Sequence, residues 1–68
     1  MIKQTRLKLG ITQAELSKIM GIHPMTLSKW ERGERKPDNA AVRLVEVLEW
    51  LYDEHRAVFD MLVGRYGK

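Results

Sequence analysis

The chain has no cysteine among its 68 residues, which rules out a disulfide staple and any thiolate metal site. Its two histidines, His23 and His55, are too far apart in sequence for a ligand-like spacing, so no metal is expected. No apolar run approaches the roughly 18 residues that a membrane span needs. The opening segment M-I-K-Q-T-R-L-K-L-G is too charged and too short for a secretory signal. A cytoplasmic location with no membrane partner is the expectation. Catalysis lacks its ingredients too: there is no cysteine nucleophile, no Gly-rich phosphate loop and no carboxylate pair clustered with a histidine. Ser28 beside Lys29 is not a dyad, because adjacent helical residues point in different directions. The chain does not read as an enzyme, and neither a catalytic residue nor a cofactor is expected.

What is present is one small domain, 1–68. A chain of this length buries only about 60% of its unfolded surface, and a single core leaves roughly 3–5 kcal/mol of margin. Self-association is the obvious further source of buried surface. The net charge of +3 hides an asymmetry: Met1–Lys36 carries eight Lys/Arg and three Glu, a net +5, whereas Pro37–Lys68 carries four Lys/Arg and six Asp/Glu, a net −2. The basic front half suggests an anionic partner. Charge alone divides evenly between nucleic-acid binding and simple solubility.

No stretch shows strand-like alternation, and the fold class is all-α, a bundle of four to five helices. Ile2 to Leu9 contains no breaker, and Gly10 supplies the left-handed residue that commonly ends a helix. Thr12 with Glu15 three residues on is a capping box opening a second helix, which Gly21 ends. Pro24 suits the first turn of a third helix, where a missing N–H costs nothing; His23 would be its N-cap, a weak choice. That helix runs to about Arg32 and stops at Gly33. Asp38 is a good N-cap for the next helical segment. From Asn39 to Val63 there is neither glycine nor proline. Ala41, Leu44, Leu48, Leu51, His55, Val58 and Leu62 recur at spacings of three and four, with Val45, Tyr52 and Phe59 alongside. The pattern fits one long helix or two bent near Tyr52–Glu54, with Asp53 as cap; two are preferred.

Two short helices joined by Met20-Gly21-Ile22 form a helix-turn-helix unit. Ser17 must be small where the next helix crosses, Gly21 must reach a positive φ, and Leu16, Ile22, Leu27 and Trp30 must be apolar as the core of the motif. All of these demands are met. The segment L-G-I-T-Q-A-E-L-S-K-I-M-G-I-H-P-M-T-L-S-K-W-E-R-G-E-R-K-P resembles the phage-repressor or Cro-like helix-turn-helix domains, also called xenobiotic-response-element type. The combination L-G-x-T-Q-x-x-L, G-I, L-S-x-W-E-R-G, then a basic residue and Pro, carries the resemblance over roughly half the chain.

The resemblance implies a lambda-repressor-like bundle that binds double-stranded DNA with a recognition helix, about 24–32, in the major groove, which is wide enough for a helix. Leu27 and Trp30 then face inwards, and Met25, Ser28 and Lys29, with Thr26 at their flank, face base edges. Gln13 would touch a phosphate and brace the recognition helix. His23, Arg32, Arg35 and Lys36 are candidate DNA-backbone contacts, with Lys3 and Lys18 as outer ones. Pro24 departs from the family pattern, which often has a long polar base-reading side chain there, so readout shifts to Met25, Ser28, Lys29 and His23. The family also pairs an arginine of helix 1 with a glutamate of helix 3, and Arg6 and Glu31 occupy those positions. Their ordinary alternatives are solvated charges, an exposed glutamine and a plain N-cap.

The resemblance thins after helix 4. Trp50, Leu51, Tyr52, Val58, Phe59 and Leu62 are more apolar surface than a four-helix core this small should need, and large exposed apolar patches mark interfaces. Segment 53–68 is therefore expected to be a helical extension that forms a homodimer; the alternative is a fifth helix folded back onto the same core. Function reads as a sequence-specific regulator, a repressor occluding a promoter from a pseudo-palindromic operator. The alternative is an antitoxin or phage accessory protein whose C-terminal helix grips a partner protein such as a toxin.

Overall fold

The computed structural model describes all 68 residues. It contains five helices and no strand: α1 (Ile2–Leu9), α2 (Gln13–Met20), α3 (Pro24–Glu31), α4 (Asn39–Glu54) and α5 (Arg56–Tyr66). The first three are eight residues each. Isolated helices that short are marginal in water, so their ends must be fixed by side chains and their faces by packing. Thr12 and Glu15 do this at α2, where the Thr12 hydroxyl accepts from the Glu15 amide at 3.1 Å and the Glu15 carboxylate accepts from the Thr12 amide at 2.8 Å. At α4, the Asp38 carboxylate accepts from the Ala41 amide at 2.8 Å. Gly21 ends α2 at φ 71°, a region where a side chain would cost about 1–2 kcal/mol.

The core is assembled from every element. Ile2 and Leu9 of α1, Ile11 of the first turn, Leu16 of α2, Leu27 of α3, Val45 and Leu48 of α4 and Phe59 of α5 form one buried cluster. α2 packs on α3, α1 crosses both α3 and α4, and α5 returns across α4 and α2.

The return of α5 corrects part of the sequence reading. Phe59, expected at a dimer surface, is only 3% exposed and stands edge-on to Tyr52, their ring centroids 5.3 Å apart. Leu51, Tyr52 and Leu62 are also packed against the core and only partly accessible. The cause is geometric: α5 closes the side of the bundle that four helices leave open, and Phe59 is the side chain that fills it. Trp50 and Val58 remain exposed, together with Val47 and Met61.

The bend also lies slightly later than expected, at His55, whose φ and ψ are −141° and 59°. Asp53 does not cap α5. Lys8 of α1 takes its carboxylate at 3.0 Å and that of Glu49 at 2.9 Å, clamping α1 to α4. The bend frees the carbonyl of Tyr52 from its helical partner, the amide of Arg56. The Arg56 side chain replaces that amide, with Nε donating to the same oxygen at 2.9 Å and the guanidinium lying 3.4 Å over the Tyr52 ring.

Candidate nucleic-acid interface

The motif is built from its smallest residue outward. Ser17 is 1% exposed, and its hydroxyl donates to the Ala14 carbonyl at 2.8 Å, so α3 can cross close to α2 without stranding a polar atom. Leu16 and Leu27 are fully buried beside it, with Ile22 and Trp30 packed around them. The turn is closed by the backbone, the Ile22 amide donating to the Ser17 carbonyl at 3.0 Å.

His23 starts α3 more effectively than its residue type suggests. Its Nδ1 accepts from the Met25 amide at 3.0 Å, taking the place of the oxygen that Ser or Asp would offer. In the neutral ring the proton then sits on Nε2, leaving a donor at the helix start. Pro24 occupies the first turn.

With Leu27 inward, the residues spaced i, i+3, i+4 and i+7 on the far side of α3 are Met25, Ser28, Lys29 and Arg32. Met25 and Arg32 are exposed, Ser28 and Lys29 partly so. Thr26 leaves this group. It lies beside Trp30 and lines a groove with Met20, Ile22, Ala41 and Leu44, where α3 meets the start of α4. One helical position of rotation explains the difference.

Beneath the stripe, Glu31 holds the front half together. Arg6 Nε donates to one Glu31 oxygen at 2.7 Å and Nη2 to the other at 3.0 Å. Gln13 Nε2 donates to Glu31 at 2.9 Å, and Arg6 Nη1 donates to the Ile11 carbonyl at 3.0 Å. One carboxylate thus joins α1, the first turn, α2 and α3. The Arg6 and Glu31 side chains are 11% and 3% exposed, so this is no solvated surface pair. Burial pushes the Glu31 carboxyl upward, but the hydrogen bonds from Arg6 and Gln13 and the charges of Arg6 and Lys3 outweigh it, leaving the group below the ordinary carboxylate range. Gln13 is therefore a brace through Glu31.

The cations divide into two groups. Arg6, Lys8, Arg32 and Arg43 have carboxylate partners within the protein. Lys29, Arg35 and Lys36, at the end of α3 and in the loop after it, make no ion pair, nor do the outer Lys3 and Lys18. Arg32, expected at the DNA backbone, is exposed and makes two contacts within the protein. Its Nε donates to Glu34 and its Nη1 to the Ser28 hydroxyl at 2.6 Å. Glu34, the Lys8 clamp and the Ile11 carbonyl escaped the sequence reading. Only Glu34 had a local signal, an acid two residues from Arg32.

Residues 2–48 match a protein-family model described as helix-turn-helix. The chain belongs to the helix-turn-helix family. Comparisons with curated proteins and with solved structures gave no match for the chain. The family is one of DNA-binding transcription regulators of Cro/C1 type, and its match covers α1 to α3 and most of α4. In this helix-turn-helix protein the match ends before the His55 bend, and of the exposed apolar residues of α4 and α5 it includes Val47 but not Trp50, Val58 or Met61.

Proposed function

We propose that this helix-turn-helix protein is a transcriptional repressor that reads a pseudo-palindromic operator as a homodimer and acts by occluding a promoter in a prokaryotic or phage cytoplasm. The observation that carries the reading is the outer stripe of α3, in which Lys29, with Arg35 and Lys36 in the following loop, makes no ion pair inside the protein. Cations without internal partners are the ones that release counterions when they meet phosphates. Met25, Ser28 and Lys29 are the base-reading residues: Met25 against a thymine methyl, Lys29 towards guanine O6 or N7, and Ser28 towards a base edge. Arg35, Lys36, His23 through Nε2, and Gln13 face the phosphates.

The dimer would form through the face that α5 leaves uncovered, centred on Trp50 and Val58, with the outer edges of Leu51, Tyr52 and Leu62. Trp50 is 53% exposed and Val58 49%. Half-sites would then lie about one helical turn apart, roughly 34 Å.

Selection of bound duplexes from a random DNA pool, near physiological salt, tests this reading. A two-fold symmetric motif is expected, and its spacing reports the dimer directly. Failure to enrich any motif would overturn the repressor reading. The same exposed apolar face supports a second reading, in which it grips a partner protein as an antitoxin or phage accessory factor does. A chain that stays monomeric at high concentration and enriches no motif would favour that one.

A further inference from the structure

The two serines of the motif use their hydroxyls in opposite ways. Ser17 spends its proton on its own helix, donating to the Ala14 carbonyl. Ser28 donates to nothing in the protein. Its oxygen instead accepts from Arg32 Nη1 at 2.6 Å, while Arg32 Nε is held by Glu34. The three residues form a chain along the outer side of α3, ending in a hydroxyl proton on the stripe that faces DNA.

A hydroxyl has one donor hydrogen and two acceptor lone pairs, whereas a guanidinium only donates. Unconstrained, a serine is an ambiguous reader, able to donate to one base or accept from another. With Arg32 donating to one lone pair, only one acceptor site remains, the proton must point away from Arg32, and the adjacent positive charge strengthens it as a donor and opposes an incoming N–H. We propose that Glu34 and Arg32 form a strap that biases Ser28 towards donating, so that it favours base edges presenting acceptors and Arg32 is a positioning residue for specificity. The acceptor edges of the major groove are guanine N7 and O6, adenine N7 and thymine O4; the cytosine amino group, which needs the remaining lone pair beside the Arg32 charge, is disfavoured. Guanine, with two acceptors and the most to gain from a nearby cation, is the preferred base.

Glu34 completes the device. By taking Nε it turns the fork of the guanidinium so that Nη1 reaches Ser28. Lysine cannot reproduce this, because it offers a point charge without a fork. The carboxylate also opposes the general attraction of Arg32 to phosphate, holding that charge to the one task. The mutual hydrogen bond and charge lower the Glu34 carboxyl and raise the Arg32 guanidinium relative to their ordinary values, so both stay ionised across the neutral range.

The inference rests on the reading of α3 as a base-reading helix. It is tested by measuring affinities of the full chain for the selected duplex and its single-base variants at several salt concentrations. Ser28→Ala and Arg32→Met should each lose about fivefold of discrimination at the same base pair, and the double variant should lose no more than either single one. Arg32→Lys should fail to restore it, and Glu34→Gln should weaken it while tightening binding to random DNA. The salt dependence of Arg32→Met should match the parent. The strap is overturned if Arg32→Met weakens all sequences alike and lowers the logarithmic salt slope by about 0.9, with Arg32→Lys restoring both, for Arg32 is then a phosphate contact. It is overturned alone if the parent reads sequence and Ser28→Ala changes nothing. A parent with no base preference removes the base-reading helix and the strap together. Circular dichroism of each variant establishes that these exposed substitutions leave the helices intact.

Discussion

The front and back of this molecule are held together by different physics. Side-chain caps start α2 and α3, and a single carboxylate, Glu31, is shared by the short helices α1, α2 and α3. α4 and α5, of 16 and 11 residues, meet at a bend with no side-chain cap on α5 and are joined mainly by apolar and aromatic contacts. Directional bonds fix angles, and apolar contacts fix area. The front half therefore presents a surface of defined geometry, as base reading requires. The back half supplies bulk to the core and leaves Trp50, Val58 and Met61 exposed beyond the residues that the family model matches.

The largest expected effect tests whether the back half is integral at all. Phe59 is the one fully committed core residue of α5, and Phe59→Ala should destabilise the domain by about 3–5 kcal/mol. That equals the whole margin expected for a chain of this size, so the variant should be largely unfolded, with α1 to α3 lost alongside α5. Urea titration followed by circular dichroism checks it. If α1 to α3 kept a cooperative transition of unchanged midpoint, the halves would be independent.

Glu31 is the matching test for the front. Glu31→Ala leaves Arg6 partly buried without its partner, a loss of about 3 kcal/mol by analogy with broken buried pairs. The more informative variant is Glu31→Gln, which keeps the shape and removes the charge. The folded carboxyl lies below its ordinary value of 4.5. A carboxyl depressed in the folded state contributes stability that is present above the unfolded value and lost as pH falls through the folded one. The parent should therefore exceed Glu31→Gln at about pH 7, and the gap should close below about pH 4.5 as Glu31 is protonated. Urea midpoints across that range measure it; a gap independent of pH would mean that shape, not charge, matters at this position.

The same contrast explains what could be read from the sequence. The capping box of Thr12 and Glu15, the stop at Gly21 and the Asp38 cap were legible because each depends on residue type at a fixed local offset. So was the stripe Met25, Ser28, Lys29 and Arg32, since helical spacing sets it. The end of α4 was not legible. Asp53 has the chemistry of a cap, but Lys8, 45 residues away in sequence, claims its carboxylate. Whether Phe59 faces inward or towards a second copy depends on the space left between α2 and α4, which only the assembled bundle defines. At the interface, residue positions were readable and side-chain directions were not: Arg32 carries the charge of a phosphate contact, yet Glu34 and Ser28 fix where it points.

The smallest expected change in stability belongs to the exposed apolar residues of α4 and α5. Trp50 is 53% exposed and stacks edge-on with His55 at 4.8 Å between centroids, away from the core. Trp50→Ser should shift the unfolding free energy of the monomer by no more than about 0.5 kcal/mol. Self-association should respond far more, because a large aromatic at the centre of an interface is the kind of residue whose removal costs about 2 kcal/mol or more, on the order of thirtyfold in the dimer constant. Sedimentation equilibrium of parent and variant separates the two quantities. Since the stripe on α3 is untouched, the variant should still recognise a half-site, with the loss confined to the symmetric operator. A variant that dimerises normally would place the contact elsewhere, and the apolar face of α4 and α5 would then be left for a different protein.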